Sequence, residues 1–208
     1  MIDVRNVSLT IKNAKILQNV TLQCGQGEIC GIVGRNGSGK TILMKCICGF
    51  VQPTEGEVFV MGKRIGRDAD FIPEAGLIIE TPGFIPHYSG MKNLRLLASI
   101  RNKIGEPEIR KSMELVGLDP DSKKRVKKYS LGMRQRLGIA QAIMEDPKYL
   151  ILDEPFNGLD KEGVEEMRAY LLELKSQGKT ILLASHSSED IRILCDTVHE
   201  IEHGKLTS

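Results

Sequence analysis

Four residues carry the types and spacing for phosphate chemistry: Lys40 and Thr41 behind a run of glycines, and Asp153 and Glu154 at the end of an apolar run. The first pair closes Gly34-Arg35-Asn36-Gly37-Ser38-Gly39-Lys40-Thr41, with Ile42 following. Glycines here let the backbone wrap closely around phosphate, so that successive N–H groups point inward as anion donors. A helix predicted over Thr41–Cys48, closed by Gly49, adds the partial positive charge of its N-terminus at the same spot. Lys40 would bring a full charge to β- and γ-phosphates, and the Thr41 hydroxyl is placed to ligate Mg²⁺. A glycine loop flexible by accident would not sit between a strand, Glu28–Val33, and a helix.

The second pair ends Leu150-Ile151-Leu152-Asp153-Glu154. A buried apolar strand delivers Asp153 to the carboxyl edge of a sheet, where doubly wound folds collect ligands. Asp153 would hold Mg²⁺ through water. Glu154 would polarise an attacking water, a role worth roughly 10²–10⁴-fold in rate. Two carboxylates capping a helix before Pro155 account for either acid alone, but poorly for both after such a strand.

The elements that must position these groups alternate along the chain. Ile2–Val7, Val20–Cys24, Glu28–Val33 and Glu57–Met61 are short β runs, with turns at Gly25-Gln26-Gly27 and Gln52-Pro53-Thr54-Glu55-Gly56. From about His87 to Asp146 the pattern is helical and charged, broken near Gly105, Pro107, Gly117 and Pro120. Strand Tyr149–Leu152, a helix over Gly163–Ser176, strand Thr180–Ser185, another helix and a strand pair near Val198–Leu206 complete the chain. Strand–helix–strand alternation around unbroken apolar runs predicts an α/β fold with a mainly parallel sheet covered on both faces. The helical middle is then an inserted subdomain at about 87–146, with the core at about 1–86 and 147–208. A length of 208 residues suits one such domain.

Tyr129-Ser130-Leu131-Gly132-Met133-Arg134-Gln135 lies about 20 residues before Asp153. Ser130 is a predicted N-cap for a helix from Gly132 towards Met144, and a helix N-terminus beside a serine hydroxyl is a second phosphate site. With the glycine loop, Glu80, the Asp153-Glu154 pair, Gly158-Leu159-Asp160 and Ser185-His186 in fixed order, the chain resembles the nucleotide-binding subunit of an ATP-binding cassette (ABC) transporter. That resemblance implies a P-loop ATPase with an N-terminal antiparallel β subdomain, binding ATP and Mg²⁺. It implies that two cassettes sandwich two ATP, with residues Ser130 to Gln135 of one facing the γ-phosphate held by the other and Asp160 reporting across the interface. It places His186 on the γ-phosphate and catalytic water. It also implies an integral-membrane permease as partner, docked near Glu80–Tyr88 and the helical insert, and a location on the cytoplasmic face of the cell membrane.

The chain departs from the family at three places. Leu131 and Met133 stand where Gly and Gln are usual, while Ser130 and Gly132 remain. Glu80 stands where the family has a Gln that touches Mg²⁺. A carboxylate at about 5 Å from a unit charge is worth about 3 kcal/mol at an effective dielectric of about 20. Attraction to Mg²⁺ and repulsion from the γ-phosphate oppose each other, so the net sign stays open. With Pro82-Gly83-Phe84, this substitution resembles transporters of the bacitracin-resistance and lantibiotic-immunity type, which makes an antimicrobial peptide or similar amphiphile the expected cargo. Ile11 falls where family members stack an aromatic on adenine, which predicts loose base selectivity.

The bulk numbers exclude other classes. A formal net charge of +2 advertises no nucleic-acid-binding face, and Lys123–Lys128 is expected to be a solvated basic face. No apolar run approaches the roughly 18 residues of a membrane span. The N-terminus lacks a secretion signal, so a cytosolic chain is expected, and no substrate-sensing C-terminal domain. Cys24, Cys30, Cys46, Cys48 and Cys195 show no CxxC spacing and are expected to be reduced. His87, His199 and His203 are expected to be satisfied polar residues. A soluble ABC-type ATPase such as a cluster-assembly factor is the alternative function; a P-loop kinase or GTPase leaves Ser130 to Gln135 and His186 unexplained.

Overall fold

A computed structural model describes residues 1–207. Two sheets organise them. The first is wholly antiparallel, built from β1 (Ile2–Ile11), β2 (Ala14–Cys24), β4 (Glu55–Val60) and β5 (Lys63–Arg64) in the order β2-β1-β4-β5. The second contains β3 (Ile29–Val33), β6 (Ala75–Ile78), β7 (Tyr149–Asp153), β8 (Thr180–Ala184), β9 (Thr197–Glu202) and β10 (Lys205–Thr207), in the order β10-β9-β3-β8-β7-β6. All its pairings are parallel except β9 with β10.

β7 and β8 are buried at every position, because side chains alternate between two covered faces. Leu150 and Leu152 pack with the helical segment through Leu137 and Ile139. Tyr149 and Ile151 pack on the other side with Leu43 and Met44 of α1 (Lys40–Cys48) and with the antiparallel sheet. Gly49 caps α1 in a left-handed conformation, as expected.

Between β6 and β7 run α2 (Gly90–Arg101), α3 (Glu106–Leu115) and α4 (Leu131–Ile143), joined by a short 3₁₀ turn at Val126–Lys128. Ser89 caps α2 and Ser130 caps α4, each accepting from a backbone N–H three residues on. Pro107 does not break a helix; it lies in the first turn of α3, where its missing N–H costs nothing. α5 (Lys161–Ser176) and α6 (Ser188–Leu194) flank β8 in sequence and are capped by Asp160 and Ser187.

The thiols depart from expectation. Cys24, ending β2, and Cys30, in β3, are joined by a disulfide with Cα atoms 5.8 Å apart. The turn at Gly25–Gly27 reverses the chain and brings the two side by side, a proximity that cysteine spacing does not register. The other three remain free; burial pushes Cys46 and Cys195 up to about 11 and Cys48 to about 12. His199 is also not satisfied, since its Nε2 is buried without a partner.

Candidate nucleotide site

Parallel register brings the chemistry to one edge. Ile32 of β3 pairs with Ala184 of β8, and Asp153 of β7 pairs with the same Ala184. The residues that follow these strands therefore emerge side by side: the glycine loop after β3, Glu154 after β7, Ser185-His186 after β8.

The glycine loop curls over this edge with Gly34, Gly37 and Gly39 all at positive φ, 148°, 80° and 116°, a path closed to most side chains. Nothing lies within 4 Å of where a Cβ at Gly37 would sit. The Ser38 hydroxyl is buried in the loop without a partner. Lys40, also buried, turns back to donate to the carbonyls of Gly34 at 2.6 Å and Arg35 at 3.2 Å. An open cradle, an orphaned hydroxyl and a lysine held only by loop carbonyls suit a phosphate chain.

The Thr41 hydroxyl donates to Asp153 Oδ2 at 2.6 Å. No cluster of three or more His, Cys, Asp or Glu able to hold a metal occurs among the described residues. Two oxygen donors are nonetheless what Mg²⁺ takes from a protein when phosphates complete its shell, so this pair fits a metal bound with nucleotide.

Glu154 has a left-handed backbone, φ 51°, fixed by its N–H donating to the Ala184 carbonyl at 2.9 Å. Its Oε2 lies 2.8 Å from His186 Nδ1. Gln135 of α4 donates to the carbonyls of Glu154 and Pro155 at 3.2 and 2.9 Å. Ser185 and Ser187, on either side of His186, are tied down in turn: Ser185 Oγ donates to Asp190 Oδ2 at 2.9 Å and accepts from Ser187 N at 3.1 Å. Asp190 is pinned by Arg168 of α5. Burial works against the Arg168 charge, but hydrogen bonds to Asp190 and Glu189 outweigh it and hold its pKa above the usual value.

A cleft of about 690 Å³ runs between this edge and α4, lined by Lys40, Thr41, Ile42, Glu80, Asp153 and Glu154 among others. Asn36, Gly37 and Gly39 line it, whereas exposed Ile11 does not; Ile16 of β2 lines it instead. Ser130 and Gly132 are also absent from its wall, although Leu131, Arg134 and Gln135 of the same segment reach it. Ser130 is exposed at the start of α4, and Met133 is half-buried with its Sδ 3.5 Å from Lys124 Nζ. Gln135, expected among the residues that act on the opposing cassette's nucleotide, is instead turned inward. It lies one turn into α4, where residues 154–155 cover the helix, and is 7% exposed. Gly132 is packed under the loop before α5, and a Cβ there would meet the Gly158 carbonyl oxygen at 2.5 Å. In that loop Asp160 accepts from Gly163 N and Arg136 Nη2, each at 3.2 Å.

A family model described as "ABC transporter" matches residues 17–157, from β2 through the cleft's acidic pair. The chain belongs to the ABC transporter family. It is an ABC ATPase cassette, and the mainly parallel core sheet with an antiparallel N-terminal sheet and intervening helices is the fold expected of one. The chain is 42% identical over 206 residues to "Uncharacterized ABC transporter ATP-binding protein YybJ" of Bacillus subtilis (strain 168), covering 99% of this chain and 94% of that one. It is 38% identical over 208 residues to "Bacitracin transport ATP-binding protein BcrA" of Enterococcus faecalis, covering 99% and 68%. The fold matches the dimeric bacterial ABC transporter cassette MJ0796 with a TM-score of 0.91 at 23% identity, covering 100% of this chain and 97% of that one. The same cassette in a post-hydrolysis state bound to ADP and Pi matches at 0.90, with 23% identity and the same coverage. Sequence reasoning had no signal for Ile16 or for the Arg168–Asp190 pair, whose partners lie 22 residues apart on different helices.

Proposed function

We propose that this cassette energises transport by a separate membrane-spanning permease, and that two cassettes close on two molecules of Mg·ATP. The observation that carries the reading is the division of the phosphate-binding groups. Lys40, Thr41, Asp153 and Glu154 line one cleft, and His186, bonded to Glu154, lines the pocket adjoining it, while Ser130 and Gly132 line neither. A helix N-terminus capped by an exposed serine is an anion site that its own cradle does not use, so it is free to complete a second copy's site.

In this mechanism the loop N–H groups and Lys40 bind the phosphates, with Gly34, Arg35, Asn36, Gly37, Ser38 and Gly39 forming the cradle and Ile42 and Ile16 the side nearest the base. Thr41 and Asp153 orient the metal, with Glu80 beside them. Mg²⁺, when bound, neutralises charge developing on the phosphates. Glu154 accepts the proton of the attacking water, and His186, hydrogen-bonded to that carboxylate, orients it against the γ-phosphate. Leu131, Met133 and Arg134 flank the surface that meets the opposing cassette, and Asp160 links that surface to α5.

The helical insert, about residues 87–146, moves against the core and passes closure to the permease, which docks near residues 80–88. No helix among the described residues is long and apolar enough to cross a membrane, so this location, on the cytoplasmic face, depends on the partner. An antimicrobial peptide is the proposed cargo, on the strength of the likeness to a bacitracin transport protein. Gel filtration of Glu154→Gln with and without Mg·ATP tests the shared site. A nucleotide-dependent shift from monomer to dimer is expected; a persistent monomer with ATP bound would reject pairing between copies of this chain. Copurification with a membrane protein separates transport from a soluble ATPase role.

A further inference from the structure

Glu80 stands where the family resemblance leads one to expect a Gln, and its surroundings explain how a carboxylate is accommodated there. It follows β6 with a left-handed backbone, φ 60°, uncommon for a residue bearing a side chain and a sign that contacts hold it. Its Oε1 accepts from Lys45 Nζ at 2.6 Å. Lys45 lies on α1 four residues after Thr41, so the two side chains share one helix face. Glu80 and Thr41 line the same cleft. A lysine in the last turn of a helix is ordinarily placed by the helix dipole. That would account for Lys45 but not for the strained backbone of its partner.

We propose that Lys45 is the positioning residue of Glu80: it holds the carboxylate against α1 and so sets how much of that negative charge a nucleotide-bound metal meets. The inference rests on the reading of the cleft as a Mg·ATP site. A carboxylate shared between an ammonium and a metal ion binds each more weakly than it would alone. Removing the ammonium should therefore tighten the metal. Loss of any nearby positive charge has some effect of this kind, so the pair is recognised by the part that depends on Glu80.

The experiment is a Mn²⁺ titration followed by electron paramagnetic resonance, on chain loaded with a non-hydrolysable ATP analogue. Wild type, Lys45→Met, Glu80→Gln, the double variant and Lys45→Arg are compared. Lys45→Met is expected to tighten Mn²⁺ about two- to fivefold more when Glu80 is present than in the Glu80→Gln background, the size an exposed ion pair supports. Lys45→Arg, which keeps the charge, is expected to stay at the wild-type affinity. Equal shifts in both backgrounds, or no shift, would overturn the proposal while leaving the nucleotide site intact. Wild type that binds no metal with nucleotide would instead overturn the reading of the cleft, and this inference with it.

Discussion

Glu154 is held in a conformation it would not choose. A left-handed backbone costs a residue with a side chain about 1–2 kcal/mol, and here φ is 51°. Gln135 donates to the carbonyls of Glu154 itself and of Pro155 after it, so Gln135→Leu would leave two acceptors unpaired, at about 1–3 kcal/mol each where burial is complete. The expected result is a lower melting temperature and a lower kcat with ATP affinity unchanged. An affinity that falls in step with kcat would place Gln135 in binding instead. At the base, aliphatic Ile16 lines the cleft where stacking on an aromatic would contribute about 1–3 kcal/mol. GTP is therefore expected to compete within about tenfold of ATP in a displacement assay, a ratio equivalent to about 1.4 kcal/mol; a much stronger preference would show that other groups read the base. Lys40, Thr41, Asp153 and Glu154 were legible in the sequence because adjacent residues fix their backbone path. Gln135 was not, because which face of α4 is covered depends on a segment 20 residues away.

At the scale of elements, α5 and α6 act together on the segment that carries His186. Arg168 is bonded to Asp190, and Asp190 to Ser185, with side-chain exposures of 11% and 6% for the ion pair. Removing Asp190 leaves Arg168 with Glu189 as its remaining partner and leaves the Ser185 hydroxyl without its acceptor. The cost is therefore that of a lost buried polar contact, about 1–3 kcal/mol, rather than that of an isolated buried charge. Asp190→Ala is thus expected to lower unfolding stability by about 1–3 kcal/mol and to reduce kcat through misplacement of His186. An Arg168→Met, Asp190→Leu double variant should recover stability but not kcat, measured by urea unfolding and ATPase assay. Recovery of both would mean that the pair only supports the fold. Elements with strong local signals, such as β7, α1 and the Ser130 cap of α4, were evident from sequence. β6, four residues long, and the two-residue β5 were not, since runs that short are strands only through the neighbours they pair with.

For the whole molecule, the link between the antiparallel sheet and the parallel sheet is short and covalent. Cys24 closes a strand of one and Cys30 lies in a strand of the other, six residues apart. By the chain-entropy argument, closing so small a loop stabilises the fold by about 2 kcal/mol. The bond ties β2 to the strand that carries the glycine loop, and neither cysteine lines the cleft, so stability and activity should separate. In denaturant without reductant, alkylation is expected to modify three cysteines, and after reduction five. Under native conditions Cys46, Cys48 and Cys195 should label slowly, because burial raises all three thiols to about 11 or 12 and leaves little thiolate at neutral pH. Cys24→Ser/Cys30→Ser should unfold at lower urea with ATPase activity near wild type. Five alkylated cysteines before reduction would show that the two sheets are held together by packing alone in solution.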